Sequence, residues 1–162
     1  MSIEKARAYL ASRGAAEKIR ELPVSSATVE LAAQALGVEE ARIAKTLSFL
    51  VEDKAVLIVA AGDAKVDNPK FKAFFHTKAK MLTPEQAVEL VGHAVGGVCP
   101  FGVNEGVKVY LDESLKRFET VFPACGSANS AIELTVPELE RLSGFEAWVD
   151  LCKAWRPEES AG

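Results

Sequence analysis

The sequence is poor in the residues that build metal centres and disulfide frameworks. Its 162 residues include two histidines, His76 and His93, and three widely spaced cysteines, Cys99, Cys125 and Cys152. No C-x-x-C pair and no H-E-x-x-H motif occurs, which excludes a zinc ribbon, a dithiol redox centre and a zincin helix. We therefore predict free thiols, no bound metal and no cofactor.

Three further signatures are missing. No G-x-S-x-G occurs, so a nucleophilic serine of the α/β-hydrolase type has no support. No G-x-G-x-x-G dinucleotide fingerprint is present either. Gly97 and Gly102 have the spacing of a phosphate-binding loop, but Val103 stands where that loop needs its lysine.

Long apolar runs are also missing, and none approaches the ~20 residues of a membrane span. The first residues are charged and no apolar segment follows them, so no signal peptide is expected and the predicted location is cytoplasmic. A formal net charge of −4 argues against indiscriminate nucleic-acid binding, and we expect neither DNA nor a membrane as a partner.

Hydrophobic periodicity and turn residues predict one α+β domain over residues 1–155, followed by a loose tail at 156–162. Helices are expected at 3–13, 29–36, 39–44, 68–75, 84–91 and 136–142. Strands are expected at 18–22, 46–51, 55–61, 107–111, 120–124, 131–134 and 147–151. Thr83 and Thr135 each begin the pattern of a capping box, with Gln86 and Glu138 three residues later.

One basic segment runs against the acidic balance of the chain. Between positions 65 and 80, a single acid, Asp67, accompanies five lysines: Lys65, Lys70, Lys72, Lys78 and Lys80. Such a segment can contact the phosphates of a nucleic acid. A solvated lysine face that aids solubility explains the same pattern equally well.

A glycine-rich stretch at residues 92–102, GHAVGGVCPFG, follows the fifth predicted helix. Its four glycines and one proline cannot continue that helix. One interpretation is a nucleophile at Cys99, which requires His93 to fold back within hydrogen-bond reach. A lone cysteine and histidine carry little specificity, however, and a proline beside a thiol is more typical of a rigid loop wall.

Three segments occur in an order and at separations that carry a family resemblance. They are residues 27–38 (ATVELAAQALGV) leading to 43–47 (IAKTL), residues 92–102, and residues 126–134 (GSANSAIEL). Together they resemble the YbaK family, the editing domains associated with prolyl-tRNA synthetase, from about residue 3 to residue 151. The glycine loop and the lysine–threonine–leucine strand are the most specific parts of the resemblance.

The resemblance implies a mixed, curled, barrel-like β-sheet flanked by helices. It also implies deacylation of mischarged tRNA in trans, without a metal or a covalent intermediate, and an aminoacyl-tRNA synthetase as a further partner. In this family a lysine matching Lys45 is essential, and a loop matching residues 96–100 holds the aminoacyl ester. The base is usually assigned to the substrate, whose terminal ribose hydroxyl helps to activate water.

On this basis, catalytic roles are expected for Lys45, Gly96 and Gly97, because a compact cation and inward-facing glycine amides can stabilise an oxyanion. Substrate-binding roles are expected for Thr46, Val98, Cys99, Pro100, Gly126, Ser127 and Asn129, and tRNA contacts for the five lysines. Without the family, Lys45 is an ordinary surface lysine, and the two glycines form a tight turn.

Two departures from the family pattern leave the substrate open. His93 stands where some members have tyrosine, and Ala131 where cysteine-releasing members have aspartate. Cysteine, alanine, serine, threonine, 2-aminobutyrate or another small amino acid remains possible, on a tRNA for proline or a related one. Two other functions also stay open: a non-catalytic module that binds a nucleotide or aminoacyl end, and a hydrolase that depends on Cys99.

Overall fold

The computed structural model describes residues 2–94 and 96–155. Its five α-helices are α1 (Ser2–Ala11), α2 (Val29–Leu36), α3 (Asn68–Phe75), α4 (Pro84–Gln86) and α5 (Val136–Ser143). Its ten strands are β1 (Ile19–Glu21), β2 (Ile43–Val51), β3 (Lys54–Ala61), β4 (Lys65–Val66), β5 (Lys108–Asp112), β6 (Thr120–Pro123), β7 (Ser130–Ile132), β8 (Leu134–Thr135), β9 (Ala147–Val149) and β10 (Cys152–Lys153). A π-helical turn, Ala87–Val91, continues α4.

Six strands form one mixed sheet in the order β8-β6-β2-β3-β5-β9, curled into a half-barrel. The pairs β6–β2, β3–β5 and β5–β9 are parallel, and the pairs β8–β6 and β2–β3 are antiparallel. Two short antiparallel ladders, β1–β7 and β4–β10, lie beside it. The predicted α+β class with a mixed, curled sheet is therefore confirmed.

Helices cover both faces of this sheet because its central strand is apolar on both sides. In β3, Leu57 and Val59 belong to the main core, into which α1 and α5 insert Leu10 and Leu142. The intervening Ile58 faces the opposite side, where Phe71 of α3 packs against it. No helix among the described residues is long and apolar enough to cross a membrane.

Local sequence signals place several elements correctly. Strands β2 and β3 form the predicted hairpin, with Glu52 and Asp53 at φ 51° and 64°, as the two central residues of a type I′ turn require. Both predicted capping boxes, at Thr83 and at Thr135, are formed. Helix α3 has the predicted bounds.

Other boundaries differ from the prediction, and non-local pairing explains them. The segment predicted as helix 39–44 forms only a 3₁₀ turn, Glu40–Arg42, because Ile43 pairs with Phe122 and begins β2. The predicted strand 131–134 is two strands interrupted at Glu133. Strand 147–151 ends at Val149, and the pair β4–β10 was not predicted. The tail at 156–162 lies outside the described residues.

Candidate functional site

A cleft opens where strand β2 loses its neighbour. Strand β2 pairs with β6 only at Ile43 and Ala44, since Pro123 ends β6 and has no N–H to extend the ladder. Farther along, the segment at 80–82 takes over the same edge, through a bridge between Phe49 and Met81. Between these two contacts, residues 45–47 lie on an edge with no strand beside them among the described residues.

The backbone of Thr46 faces this open edge. Leu50 donates its N–H to the carbonyl of Lys80 at 2.8 Å, and the carbonyl of Ser48 accepts from Leu82 at 3.1 Å. Because backbone groups alternate in direction along a strand, the N–H and C=O of Thr46 point the same way as those of Ser48 and Leu50. One donor and one acceptor of the main chain therefore face the cleft.

The cleft has a volume of about 470 Å³ and walls of mostly small, apolar side chains. It is lined by Ser26, Ala27, Thr28, Val29, Ala32, Ile43, Ala44, Lys45, Thr46, Leu47, Ser48, Met81, Leu82, Pro84, Gly96, Val98, Phe122, Ala124, Ser130 and Ala131. Lys45 is the one ionisable residue among these lining residues. The walls therefore supply no carboxylate, imidazole or thiol.

Lys45 is half-buried, and its ammonium is held by backbone carbonyls. Its Nζ donates to the carbonyl of Gly62 at 3.4 Å and to that of Ala64, both in the turn after β3. Burial lowers the pKa of Lys45, and the nearby Cys152, Asp63 and Asp112 partly oppose that shift. An ammonium has three N–H donors, and these two hydrogen bonds use two of them.

Thr46, the next residue of β2, carries a second polar group, and its side chain points to the opposite face of the strand from that of Lys45. Its Oγ1 is buried and has no hydrogen-bond partner among the described residues. A buried hydroxyl without a partner is unusual, because desolvating it costs about 1–3 kcal/mol. The hydroxyl and the open backbone edge thus place unsatisfied polar groups at one point of an otherwise apolar wall.

Helix α2 brings its N-terminus to the wall of the cleft. Thr28 caps the helix by accepting from the N–H of Leu31 at 3.1 Å, and Gly37 ends it at φ 70°. Thr28 and Val29 both line the cleft, so the positive end of the helix dipole lies there. This end favours an anionic or electron-rich ligand.

The glycine loop closes a third side, and its two glycines have different tasks. Gly97 donates to the carbonyl of Ala94 at 3.0 Å, which closes a turn with Gly96 at φ 94°. Gly96 lines the cleft, whereas a Cβ at Gly97 would lie 2.6 Å from the backbone of Gly126 and Ser127. Gly97 therefore lets two loops pack closely, and its amide is already engaged in this conformation.

Hydrogen bonds fix the loop around Asn129 to the segment that contains Leu22. The side chain of Asn129 donates through Nδ2 to the backbone carbonyl of Leu22 at 3.1 Å. The backbone carbonyl of Asn129 accepts from the N–H of Leu22 at 2.7 Å. Ser127 bonds to Ser130 at 2.7 Å between the two hydroxyl oxygens. Gly126, Ser127 and Asn129 lie outside the lining, and the next residues, Ser130 and Ala131, form the wall instead.

The position of Cys99 argues against the hypothesis that its thiol is a nucleophile. It is fully buried, it does not line the cleft, and burial raises its pKa to about 12. Its Sγ lies 3.6 Å from His93 Nε2, as that hypothesis required, but this nitrogen also lies 2.7 Å from the carbonyl of Phe101. Burial lowers the pKa of His93, so the pair packs as neutral groups behind the loop. Pro100 is buried there as well.

Four of the five predicted tRNA-binding lysines are exposed. Lys78 and Lys80 precede Met81, which lines the cleft, while Lys65 lies on β4 and Lys72 on α3. Lys70 differs, because its Nζ pairs with Asp150 at 3.2 Å and donates to the carbonyl of Cys152 at 3.0 Å. Among the described residues, no group of three histidine, cysteine or acidic side chains is arranged to hold a metal ion.

A family model of the aminoacyl-tRNA editing domain matches residues 24–142, which include every wall of the cleft. The chain belongs to this family. The chain is 53% identical over 156 residues to YwhH of Bacillus subtilis (strain 168), an uncharacterized protein. That match covers 96% of this chain and 99% of YwhH. A solved structure reported as a candidate trans-editing enzyme for prolyl-tRNA synthetase superposes with a TM-score of 0.84 at 35% identity, covering 94% and 97% of the two chains.

The editing domain also matches part of a larger enzyme. It is 34% identical over 138 residues to the proline–tRNA ligase of Thermosipho melanesiensis (strain DSM 12029 / CIP 104789 / BI429). The match covers 83% of this chain but 24% of the ligase. The matched region thus spans nearly all of YwhH but about a quarter of the ligase.

Sequence reasoning missed two parts of this site. The N-terminus of α2 was predicted as an ordinary capped helix, although the signature of that cap, Thr28 before an apolar run, was visible. The wall formed by Ser130 and Ala131 was assigned instead to Ser127 and Asn129. Which residue of a turn faces a cleft depends on the partner loop, and the turn sequence alone does not contain that information.

Proposed function

We propose that this editing domain hydrolyses the ester bond of mischarged tRNA in trans, releasing a small, wrongly attached amino acid. The observation that carries the proposal is that the half-buried Lys45, the open edge at Thr46 and the N-terminus of α2 line one cleft. The ammonium, the N–H of Thr46 and the helix terminus are donors or positive poles, as a developing oxyanion requires.

The proposed chemistry uses electrostatic stabilisation. A water molecule adds to the ester carbonyl, the bond to the ribose oxygen breaks, and that oxygen takes up a proton. The free N–H of Lys45 and the N–H of Thr46 are the proposed donors to the oxyanion, and Gly96 shapes the wall opposite. Because the lining residues include no carboxylate, imidazole or thiol, the ribose hydroxyl of the substrate is the proposed base.

The walls favour a small, uncharged aminoacyl group. Ala27, Ala32, Ala124 and Ala131 leave a shallow apolar surface, and no acidic residue lines it to pair with a long cationic side chain. One methylene changes binding by only about 1–3 kcal/mol, so several small amino acids can enter such a site. Alanine, serine, cysteine, threonine and 2-aminobutyrate form the proposed set.

The proposed tRNA contact lies beside the cleft. Lys78 and Lys80 are exposed and lead directly to the lining residue Met81, so phosphates of the acceptor end would meet them as the ester enters. Lys65 and Lys72 are exposed as well and are further proposed phosphate contacts, whereas Lys70 is engaged with Asp150. The similarity to proline–tRNA ligase favours tRNA for proline or a related tRNA, with a synthetase as a further partner.

The test is release of amino acid from tRNAs charged with cysteine, alanine, serine, threonine, 2-aminobutyrate and proline. We expect release of one or two small amino acids by the native chain and a loss of at least about 100-fold in Lys45→Ala. Lys54→Ala, an exposed lysine at the start of β3, is the matched control and should retain full activity. Tight binding of an aminoacyl-adenosine analogue with no release from any tRNA would replace the hydrolase by a binding module.

A further inference from the structure

The turn that holds Lys45 is itself held by an arginine from another element. Asp63 lies between Gly62 and Ala64, the two residues whose carbonyls accept from Lys45. The guanidinium of Arg117 binds both oxygens of Asp63, at 2.9 Å from Nη1 to Oδ2 and 2.6 Å from Nη2 to Oδ1. A bidentate pair of this kind fixes both the position and the orientation of a carboxylate.

Arg117 is anchored on several sides, so the pair is more than a surface contact. Its Nε donates to the carbonyl of Ser114 at 3.0 Å, and its Nη1 donates to that of Trp155 at 3.3 Å. The guanidinium also lies over the ring of Trp155, at 5.0 Å from the centroid. Arg117 ends a short 3₁₀ helix, Glu113–Arg117, which is joined to β3 because the hydroxyl of Ser114 accepts from the N–H of Ala61 at 3.1 Å.

The titratable groups around Lys45 show what this arrangement achieves. Its ammonium interacts electrostatically with the carboxylates of Asp63 and Asp112 and the ammonium of Lys65, and the thiol of Cys152 lies nearby. The two carboxylates are both occupied elsewhere: Asp63 by Arg117, and Asp112 by the N–H groups of Ser114 at 3.0 Å and Leu151 at 2.9 Å. Lys45 donates to the neutral carbonyls of Gly62 and Ala64 instead of to either carboxylate, and these two hydrogen bonds use two of its three N–H groups.

We propose that Arg117 is a positioning residue that holds the Asp63 carboxylate away from Lys45, so that the lysine can serve the substrate. This rests on the proposed function of Lys45 in ester hydrolysis. Without Arg117, the freed carboxylate would lie in the same turn as the two carbonyls and would form an ion pair with the ammonium. That ion pair would turn the cation away from the cleft.

The proposal predicts an order of activities that a merely structural role does not give. Arg117→Ala should lower kcat by about 10- to 100-fold with little change in KM, because displacing a catalytic group by about 1 Å can cost that much. Adding Asp63→Asn to this variant removes the competing charge and should restore most of the lost activity. Asp63→Asn alone should lose less activity than Arg117→Ala alone.

Further variants control for charge and folding. Lys116→Ala removes the neighbouring cation of the same short helix, which pairs with Glu113 at 3.2 Å, and should leave kcat unchanged. Arg117→Lys keeps the charge but not the bidentate fork, and should show an intermediate loss of activity with a smaller decrease in the thermal unfolding midpoint than Arg117→Ala. If Arg117→Ala does not fold, Arg117→Lys with and without Asp63→Asn repeats the comparison.

A direct readout of the ammonium separates this proposal from the function on which it rests. In protein labelled with ¹³C at lysine Cε, NMR titration should show a higher pKa for Lys45 in Arg117→Ala and a return toward the native value in the double variant. This pattern supports the positioning role even if no tRNA is deacylated. A pKa of Lys45 that is unchanged in Arg117→Ala, or a double variant less active than Arg117→Ala, would overturn it.

Discussion

Replacing Gly97 by alanine tests the idea that this glycine exists for packing. The added Cβ would lie 2.6 Å from the backbone carbon of Gly126 and the nitrogen of Ser127, whereas ordinary contact begins at 3.4 Å. The two loops must therefore separate by about 0.8 Å, the difference between those distances. Overpacking against backbone costs about 1–3 kcal/mol, since no flexible side chain can yield.

The consequence should appear in both stability and catalysis. For a chain of this size, each kcal/mol lowers the unfolding midpoint by about 2–4 °C. Gly96 and Ser130 belong to the two loops that must separate, and both line the cleft. We therefore also expect the rate of deacylation to fall by about 10- to 100-fold, because a displacement near 1 Å in an active site can cost that much. Thermal unfolding by circular dichroism and single-turnover deacylation measure the two effects.

The matched control for this variant is Gly106→Ala. Gly106 adopts φ 90° with nothing within 4 Å of the added Cβ, so the substitution strains only the local backbone. We expect a loss of about 1–2 kcal/mol and full deacylation, because the left-handed conformation is costly for alanine but Gly106 lies outside the cleft. A Gly97→Ala protein as stable and active as the native one would refute the packing argument.

Three further predictions concern the remaining groups. Cys99→Ala should retain full kcat, because the thiol is buried behind the loop and burial raises its pKa to about 12; a loss of activity in a folded variant would revive the nucleophile hypothesis. Reversing the charges of Lys78 and Lys80 to glutamate should weaken tRNA binding and flatten its salt dependence, and an unchanged salt slope in filter binding would make these lysines a solvated face. Burial lowers the pKa of His93 in the folded protein below its unfolded value of 6.5. Neutral His93 therefore makes its full contribution to the free energy of unfolding above pH 6.5, and this contribution is lost as the pH falls below that value. Urea unfolding between pH 7.5 and 5 should show that decline, and His93→Gln should flatten it; an equal slope in the variant would contradict the assignment.

Much of the fold follows from local sequence signals. The hairpin β2–β3 was predicted because polar residues separate two apolar, β-branched runs, and the three threonine-capped helices were predicted from their caps. These features depend on residues within a few positions of one another. Their energies are therefore set by the local chain, and tertiary contacts did not overturn them.

The start of β2 could not be predicted from neighbouring residues in the sequence. Residues 39–44 have the composition of a helical turn, but Ile43 gains a partner at Phe122, far along the chain. Pairing between such distant residues depends on the register of the whole sheet. The same register ends the β2–β6 ladder at Pro123 and leaves the edge of Thr46 open, so the cleft itself was beyond local prediction.

The sequence by itself determined the editing-domain family, the caps and the hairpin, and it singled out Lys45 and the glycine loop as candidate motifs. Tertiary structure alone decided that Gly97 packs against Gly126, that Cys99 lies behind the wall, and that Asp63 is held by Arg117. The physical reason is distance along the chain. Caps and turns are satisfied by neighbouring residues, whereas the exposure, charge environment and orientation of a side chain are set by residues that only folding brings beside it.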